Sequence, residues 1–283
     1  MKYLIIPERS KTKLLPFYFA VEEYVAHTYT DDDYYMVWSV EPTVMLGRNQ
    51  LIHNEVDVDY CKANNIHIFR RKSGGGCIYA DRGCLQFSYI SNDSNVNEAF
   101  YTHMKNVALV LQSLNVDAQL SGRNDILVDG QKVAGCAFYK LKGRSVLHNS
   151  LLYNTQLEHL ASALTPAKEK LQSKGVESVR QRVKNVGDYL DMPISDFIDY
   201  VQHFTCGDEV RELTSEDMKQ IEIIEAELAS DEFVYGQNPK YTEKRTKRFK
   251  DVGTIDAVIE LKNGVIKKIN LMGDYFLIGD LDR

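Results

Sequence analysis

Apolar positions along the chain follow two periods. Alternating or short apolar runs bounded by turn residues predict strands at Met1–Pro7, Met36–Val40, Thr43–Gly47, Leu85–Ile90 and Leu147–Tyr153. A three-to-four-residue spacing predicts helices elsewhere. Phe100, Met104, Val107, Ala108, Leu111 and Leu114 put an amphipathic helix over 97–114. Leu157, Leu160, Ala161 and Leu164 mark a second, and Phe197, Ile198, Val201 and Phe204 a third. A fourth runs through Met218, Ile221, Ile224 and Leu228, with Thr214 and Asp217 at capping-box spacing before it. Asp129-Gly130 and Asn263-Gly264, each between apolar-rich runs, predict two-residue hairpins. The basic stretch from Lys240 to Lys250 reads as a boundary ahead of a small C-terminal β unit.

One segment breaks both periods. Residues 70 to 81 read Arg-Arg-Lys-Ser-Gly-Gly-Gly-Cys-Ile-Tyr-Ala-Asp. Gly74, Gly75 and Gly76 carry no Cβ, so their amides can approach a ligand closely. Successive N–H groups form a concave anion site, and Arg70 or Arg71 can add a bidentate fork for phosphate or carboxylate. The competing reading is a glycine-rich hairpin whose arginines are solvated.

Beyond the Asp129-Gly130 turn, Lys132 falls opposite Leu127 and is followed by Ala134, Gly135, Cys136 and Ala137. A lysine beside a wall of small residues leaves room for a flat ligand against the sheet, although a single strand lysine is more often an exposed edge charge.

Composition narrows the class. At 283 residues the chain is long enough for one large domain and an appendage, with 44% hydrophobic and 26% charged residues. A net charge of −6 argues against a broad nucleic-acid surface. The five cysteines, Cys61, Cys77, Cys84, Cys136 and Cys206, have neither metal-ligand nor CxxC spacing and fit reduced cytoplasmic thiols. The N-terminus lacks the apolar length of a signal segment, and no apolar run reaches the roughly 20 residues of a membrane span.

Taken together, these segments closely resemble the lipoate–protein ligase family. The likeness runs through Phe17 to Glu23, Gly47-Arg48-Asn49-Gln50, Arg70 to Asp81, Gly122 to Asp125 and Lys132 to Gly135. It continues through His148 to Leu152, Lys174 to Val183 and Phe233 to Pro239, in the family's order. Two departures stand out. Ala80-Asp81-Arg82-Gly83-Cys84 replaces the family's frequent His-Asp-x-Gly-Asn, and His148-Asn149-Ser150 replaces His-Gly-Thr. Both bear on the adenylate pocket and acyl preference more than on the reaction class.

The resemblance implies an α+β fold of mixed, largely antiparallel sheets flanked by helices, like the large domain of biotin ligases and class II aminoacyl-tRNA synthetases. It implies a catalytic unit over 1–240 and a shortened accessory unit over 245–283. It also implies an ATP-dependent reaction in which lipoate becomes lipoyl-adenylate and then passes to a protein lysine, with Mg²⁺ accompanying the ATP. Lys132 would be catalytic. Arg71, Gly74, Gly75, Gly76, Cys77, Ile78, Tyr79, Asn124 and Asp125 would bind the nucleotide, while Arg70, Gly135, Ala137 and His148 would line the lipoate pocket. His148 reads as a satisfied polar group before a catalytic base, and Cys136 as a space-filling residue before a nucleophile. Lys168, Lys170, Lys174, Arg180 and Arg182 read as a solvated face that could also recruit an acidic acceptor. Expected partners are lipoyl domains of E2 subunits or the glycine cleavage H protein, with no nucleic acid or membrane, and the enzyme is expected to be a cytoplasmic monomer. An octanoyl or lipoyl transferase of the same fold, using a cysteine thioester, stays open, as does a non-catalytic adenylate-binding protein.

Overall fold

The computed structural model describes residues 1–7, 13–121, 124–164, 182–236, 239, 241–279 and 281. In chain order the strands are β1 (Lys2–Ile5), β2 (Tyr34–Trp38), β3 (Thr43–Leu46), β4 (His67–Arg70), β5 (Ile78–Ala80), β6 (Cys84–Ser91) and β7 (Gln119–Ser121). They continue as β8 (Asp125–Val128), β9 (Gln131–Leu141), β10 (Arg144–Leu152), β11 (Val210–Glu212), β12 (Glu243–Phe249), β13 (Gly253–Lys262) and β14 (Val265–Gly273). Helices are α1 (Leu15–Thr28), α2 (Ile52–Glu55), α3 (Val58–Ala63), α4 (Val96–Ser113), α5 (Leu157–Ala163), α6 (Ile194–Cys206), α7 (Ser215–Leu228) and α8 (Asp231–Tyr235).

An eight-stranded sheet in the order β11-β1-β2-β6-β10-β9-β8-β7 forms the frame. Strand β1 runs parallel to both neighbours, and the other pairings are antiparallel. Side-chain alternation sends Phe87, Ala134, Cys136 and Leu147 to one face, against Met104 and Val107 of α4 and Phe197 of α6. It sends Met36, Trp38, Ile90 and Tyr139 to the other, against Phe17, Phe19 and Val21 of α1 and Ile221 of α7. All eight residues of β6 are buried, as a central strand covered on both sides requires. Helix α1 is apolar nearly all round and correspondingly sunk in the protein, with Pro16 in the first turn, where the missing N–H costs nothing.

The predicted turns and cap are present. Asp129 and Gly130 (φ 52° and 76°), and Asn263 and Gly264 (φ 53° and 74°), have the paired positive φ of a tight hairpin. Thr214 Oγ accepts from Asp217 N–H while the Asp217 carboxylate accepts from Thr214 N–H, closing the capping box of α7.

The glycine segment is not a hairpin. Strands β4 and β5 both pair with β3, one parallel and the other antiparallel, so residues 71–77 cross over the end of β3. Alternation could not reveal this, because it specifies which residues face inward and not which strand lies between. The small β4-β3-β5 sheet rests on α2, α3 and α5 through Val44, Leu46, Ile52, Cys61 and Tyr79. The basic stretch expected at a boundary lies largely in β12, the first strand of a separate antiparallel β12-β13-β14 sheet. That sheet meets the rest through Leu51, Val258 and Met272. The chain after β14 then straps across the molecule: Gly75 N–H donates to Tyr275 O at 3.2 Å, and Leu281 N–H to Lys140 O at 3.0 Å.

Candidate active site

The loop between β4 and β5 is held from beneath by its own arginines. Arg71 is buried and donates from Nε to Ser73 Oγ, from Nη1 to Met45 O, and from Nη2 to Gly74 O and Gly76 O. That commits four of the five N–H groups a guanidinium possesses. Arg70 donates from Nε to Val234 O and from Nη1 to the carbonyls of Gly47, Arg48 and Gln50. Burial pulls both guanidiniums down to about 10, so they remain charged at neutral pH. The expectation that Arg71 meets a phosphate directly does not fit a side chain spent on carbonyls; these arginines shape the loop.

Glycine is required here for specific reasons. A Cβ on Gly47 would collide with Gly75 O, so two backbones touch with nothing between them. Gly75 adopts φ 88° and lies under the Phe276 ring, which a Cβ would meet at 2.8 Å. Phe276 in turn stacks on Phe138, centroids 5.2 Å apart. Gly76, by contrast, is exposed and has nothing within 4 Å of its Cβ position, so the loop opens on that side. The Tyr79 ring packs in the small-sheet core, which leaves only its backbone for a ligand.

Lys132 reaches the site through a β-bulge. Leu127 pairs with Lys132 but Ile126 with Ala134, which leaves Val133 unopposed. The extra residue reverses the alternation, so Lys132, Gly135 and Asp125 share a face. Lys132 Nζ consequently stands 2.7 Å from where a Gly135 Cβ would be and 2.7 Å from Asp125 Oδ1. Asn124 braces the corner, its Nδ2 donating to Cys136 O and its carbonyl accepting from Cys136 N–H. Along the same face of β9, Ala137 pairs directly with His148 of β10.

His148 is buried and doubly engaged. Its Nε2 is 2.8 Å from Ser73 Oγ and its Nδ1 3.2 Å from Glu22 Oε2. The fully buried Glu22 also accepts from Ser88 Oγ at 2.6 Å and Tyr139 OH at 3.3 Å, and Trp38 Nε1 donates to Ser88 Oγ at 2.8 Å. Glu22 and Ser73 were not singled out from sequence. A signal for Glu22 existed: it is one of two adjacent carboxylates, Glu22 and Glu23, inside a mostly apolar helix. Burial pushes the cysteine thiols up, Cys61 to about 11 and Cys84 to about 12, with Cys77, Cys136 and Cys206 shifted the same way.

Comparison with known proteins fits this geometry. The family model for the lipoyl protein ligase A/B catalytic domain matches residues 16–205, and that for the bacterial lipoate protein ligase C-terminus matches 238–283. This chain belongs to the lipoate–protein ligase family. The lipoate-protein ligase LplJ of Bacillus subtilis is 36% identical to it over 277 residues, which cover 93% of this chain and 83% of the relative. Plasmodium falciparum LipL1, solved in complex with lipoate, superposes with a TM-score of 0.80 at 19% identity, covering 97% of this chain and 85% of that one. A lipoate-protein ligase A solved with ATP gives a TM-score of 0.71 at 24% identity, with coverages of 84% and 98%. These two likenesses establish the ligase fold. Gly122, Lys168, Lys170, Lys174 and Arg180 of the ligase lie outside the described residues, as does most of the Lys174 to Val183 stretch. Of that stretch, Arg182 O accepts from Lys132 N–H, and Lys184 N–H, just beyond it, donates to Lys132 O.

Proposed function

We propose that this ligase attaches lipoate to protein lysines in two half-reactions driven by ATP. In the first, a lipoate carboxylate oxygen bonds to the α-phosphorus as the bond to pyrophosphate breaks, giving lipoyl-adenylate. In the second, the acceptor amine attacks the acyl carbon, the bond to the phosphate oxygen breaks, AMP leaves and the amine gives up one proton. Neither step needs a protein nucleophile, because positioning and charge stabilisation supply the rate.

The observation that carries this reading is Lys132, turned by the bulge onto the Gly135 face beside Asp125. Its ammonium can exchange the Asp125 carboxylate for an acyl oxygen and an α-phosphate as charge builds between them. Backbone amides from Gly74 to Tyr79 border the nucleotide, with Arg70 and Arg71 fixing their shape. Asn124 and Asp125 hold the ribose-phosphate end or its magnesium. Among the described residues no group of three or more His, Cys, Asp or Glu could hold a metal alone. This suits magnesium, which keeps several waters and takes its remaining ligands from substrate phosphate and one or two carboxylates. The acyl chain runs along Ala137 toward His148, each buried methylene contributing about 0.8 kcal/mol.

Acceptors are lipoyl domains of E2 subunits of 2-oxoacid dehydrogenase complexes or the glycine cleavage H protein, and the enzyme works as a cytoplasmic monomer. Residues 1–240 form the catalytic unit, while 245–283 cover and orient the adenylate site. The upward-shifted thiols argue against transfer through a cysteine thioester, which needs a thiolate. Mass spectrometry of a lipoyl domain incubated with the enzyme, lipoate and Mg-ATP tests the reading. The lipoyl mass increment should require ATP and be accompanied by pyrophosphate. Modification that proceeds from an acylated carrier without ATP would replace this reading with the transferase.

A further inference from the structure

Four cationic side chains stand on the segments that build the glycine loop: Arg48, Arg70, Arg71 and Lys72. Three are committed. Arg70 and Arg71 hold backbone carbonyls, and Lys72 Nζ is 2.6 Å from Glu23 Oε2. Arg48 alone of the four has a side chain with no hydrogen bond or ion pair among the described residues. Its backbone, by contrast, is clamped on both sides. Arg48 N–H donates to Ser73 O at 2.9 Å, and Arg48 O accepts from Arg70 Nη1 at 3.1 Å. Gln50, also buried, closes the turn by accepting from Gly47 N–H through its Oε1 at 2.9 Å. A buried arginine and a buried glutamine thus fix the backbone that carries a guanidinium without a counter-charge.

The location of that guanidinium is informative. Its charge acts on the Tyr275 phenol, opposing the upward push of burial. Tyr275 is also the residue whose carbonyl accepts the Gly75 N–H. A carbonyl oxygen of the strap therefore occupies an acceptor position on a glycine amide of the loop whose Ser73 carbonyl holds the Arg48 backbone. An oxygen of higher negative charge would be favoured there over a neutral carbonyl.

We propose that Arg48 is the guanidinium that engages the β- and γ-phosphates of ATP, the portion that departs as pyrophosphate, and that this polyphosphate displaces the Tyr275 carbonyl from Gly75 N–H. The inference rests on the adenylating reading given above. As the bond from the α-phosphorus to its bridging oxygen breaks, its electron pair goes to pyrophosphate, and Arg48 neutralises the charge gathering there. Lys132 serves the opposite side of the same phosphorus, which explains why the site carries two separately held cations.

Pyrophosphate is present in the first half-reaction and absent from the second, and this separates Arg48 from a general structural role. Full-length Arg48→Ala and Arg48→Lys are to be assayed for lipoate-dependent exchange between ATP and labelled pyrophosphate. Transfer from synthetic lipoyl-adenylate to a lipoyl domain is measured separately, with thermal unfolding of each variant. Arg48→Ala should lower kcat/KM for ATP in exchange by at least about tenfold, the scale of one charged hydrogen bond. Arg48→Lys should recover part of that loss, and transfer from the adenylate should stay within about twofold of the parent. Undiminished exchange in Arg48→Ala overturns the inference, as does an equal loss of both half-reactions at unchanged thermal stability. If the parent enzyme itself shows no lipoate-dependent exchange, the ligase reading fails and takes this inference with it.

Discussion

Ser73 and His148 are 75 residues apart in sequence and 2.8 Å apart at Oγ and Nε2. A carboxylate only accepts and a guanidinium only donates, which fixes the two ends of this series of contacts. His148 Nδ1–H points to Glu22, Ser73 Oγ lies in hydrogen-bond contact with His148 Nε2, and Ser73 Oγ accepts from Arg71 Nε. The buried side chains of Glu22 and Arg71 are thus joined through His148 and Ser73. The relay connects α1 to the glycine loop along one face of the sheet.

Breaking the relay at its acidic end should be costly. Glu22→Ala would leave His148, Ser88 and Tyr139 without their acceptor and Arg71 without its remote counter-charge, an expected loss of about 3–5 kcal/mol. Glu22→Gln retains an accepting oxygen and should lose about 1 kcal/mol. Urea denaturation of both variants checks this, and equal stability of the two would show that the accepting oxygen kept by Gln contributes nothing to the fold.

Lys132→Ala should abolish pyrophosphate release while barely moving the melting temperature. The Lys132–Asp125 pair is roughly one-third exposed on each side, so its loss costs at most about 1 kcal/mol. Near-normal pyrophosphate release by the folded variant would remove Lys132 from the chemistry.

Two loop substitutions should fail differently. Gly75→Val places a branched side chain at φ 88° against Phe276 and should eliminate ATP binding measured calorimetrically in the presence of lipoate. Arg71→Ala should instead appear first as lost stability, because the carbonyls of Met45, Gly74 and Gly76 lose their donor. If Arg71→Ala weakens ATP binding at unchanged stability, the guanidinium contacts the nucleotide after all.

On the opposite face of the sheet, burial pulls the His103 imidazole from its ordinary 6.5 down to about 4. The unfolded chain takes up this proton below pH 6.5, whereas the folded protein resists until about pH 4. Stability from the neutral ring is therefore complete above pH 6.5 and declines as pH falls toward 4, by about 3 kcal/mol in total. Replacing His103 with Gln should flatten that part of the stability–pH curve. An unchanged slope in His103→Gln would assign the decline to other groups.

Much of the fold was legible because it depends on local chemistry. The paired positive-φ hairpins, the capping box of α7 and the apolar stripe of α4 are all set by neighbours within a few residues. Lys132 opposite Leu127 followed from the Asp129-Gly130 turn in the same way. The bulge at Val133 did not, since counting residues cannot show where alternation slips, and it decides which face the lysine serves. Arg70 and Arg71 were read as ligand groups because their partners are carbonyls contributed by Met45, Gly47, Arg48, Gln50 and Val234, a set assembled only by the tertiary fold. Glu22 and Ser73 owe their roles in the site to His148, which lies 126 and 75 residues away from them in sequence.

His148 and Asn149 are consecutive on β10 and face opposite sides, His148 toward Glu22 and Ser73, Asn149 toward His103, whose Nε2 is 2.8 Å from its Oδ1. A slip of β10 by a single residue would exchange the two and strand both buried polar clusters at once, each in the wrong chemical surroundings. An apolar strand would tolerate such a slip at the cost of imperfect packing. This pair makes mis-registered alignment untenable on both faces, so the His-Asn dipeptide acts as an indexing mark by which the central strand finds its one correct alignment during folding.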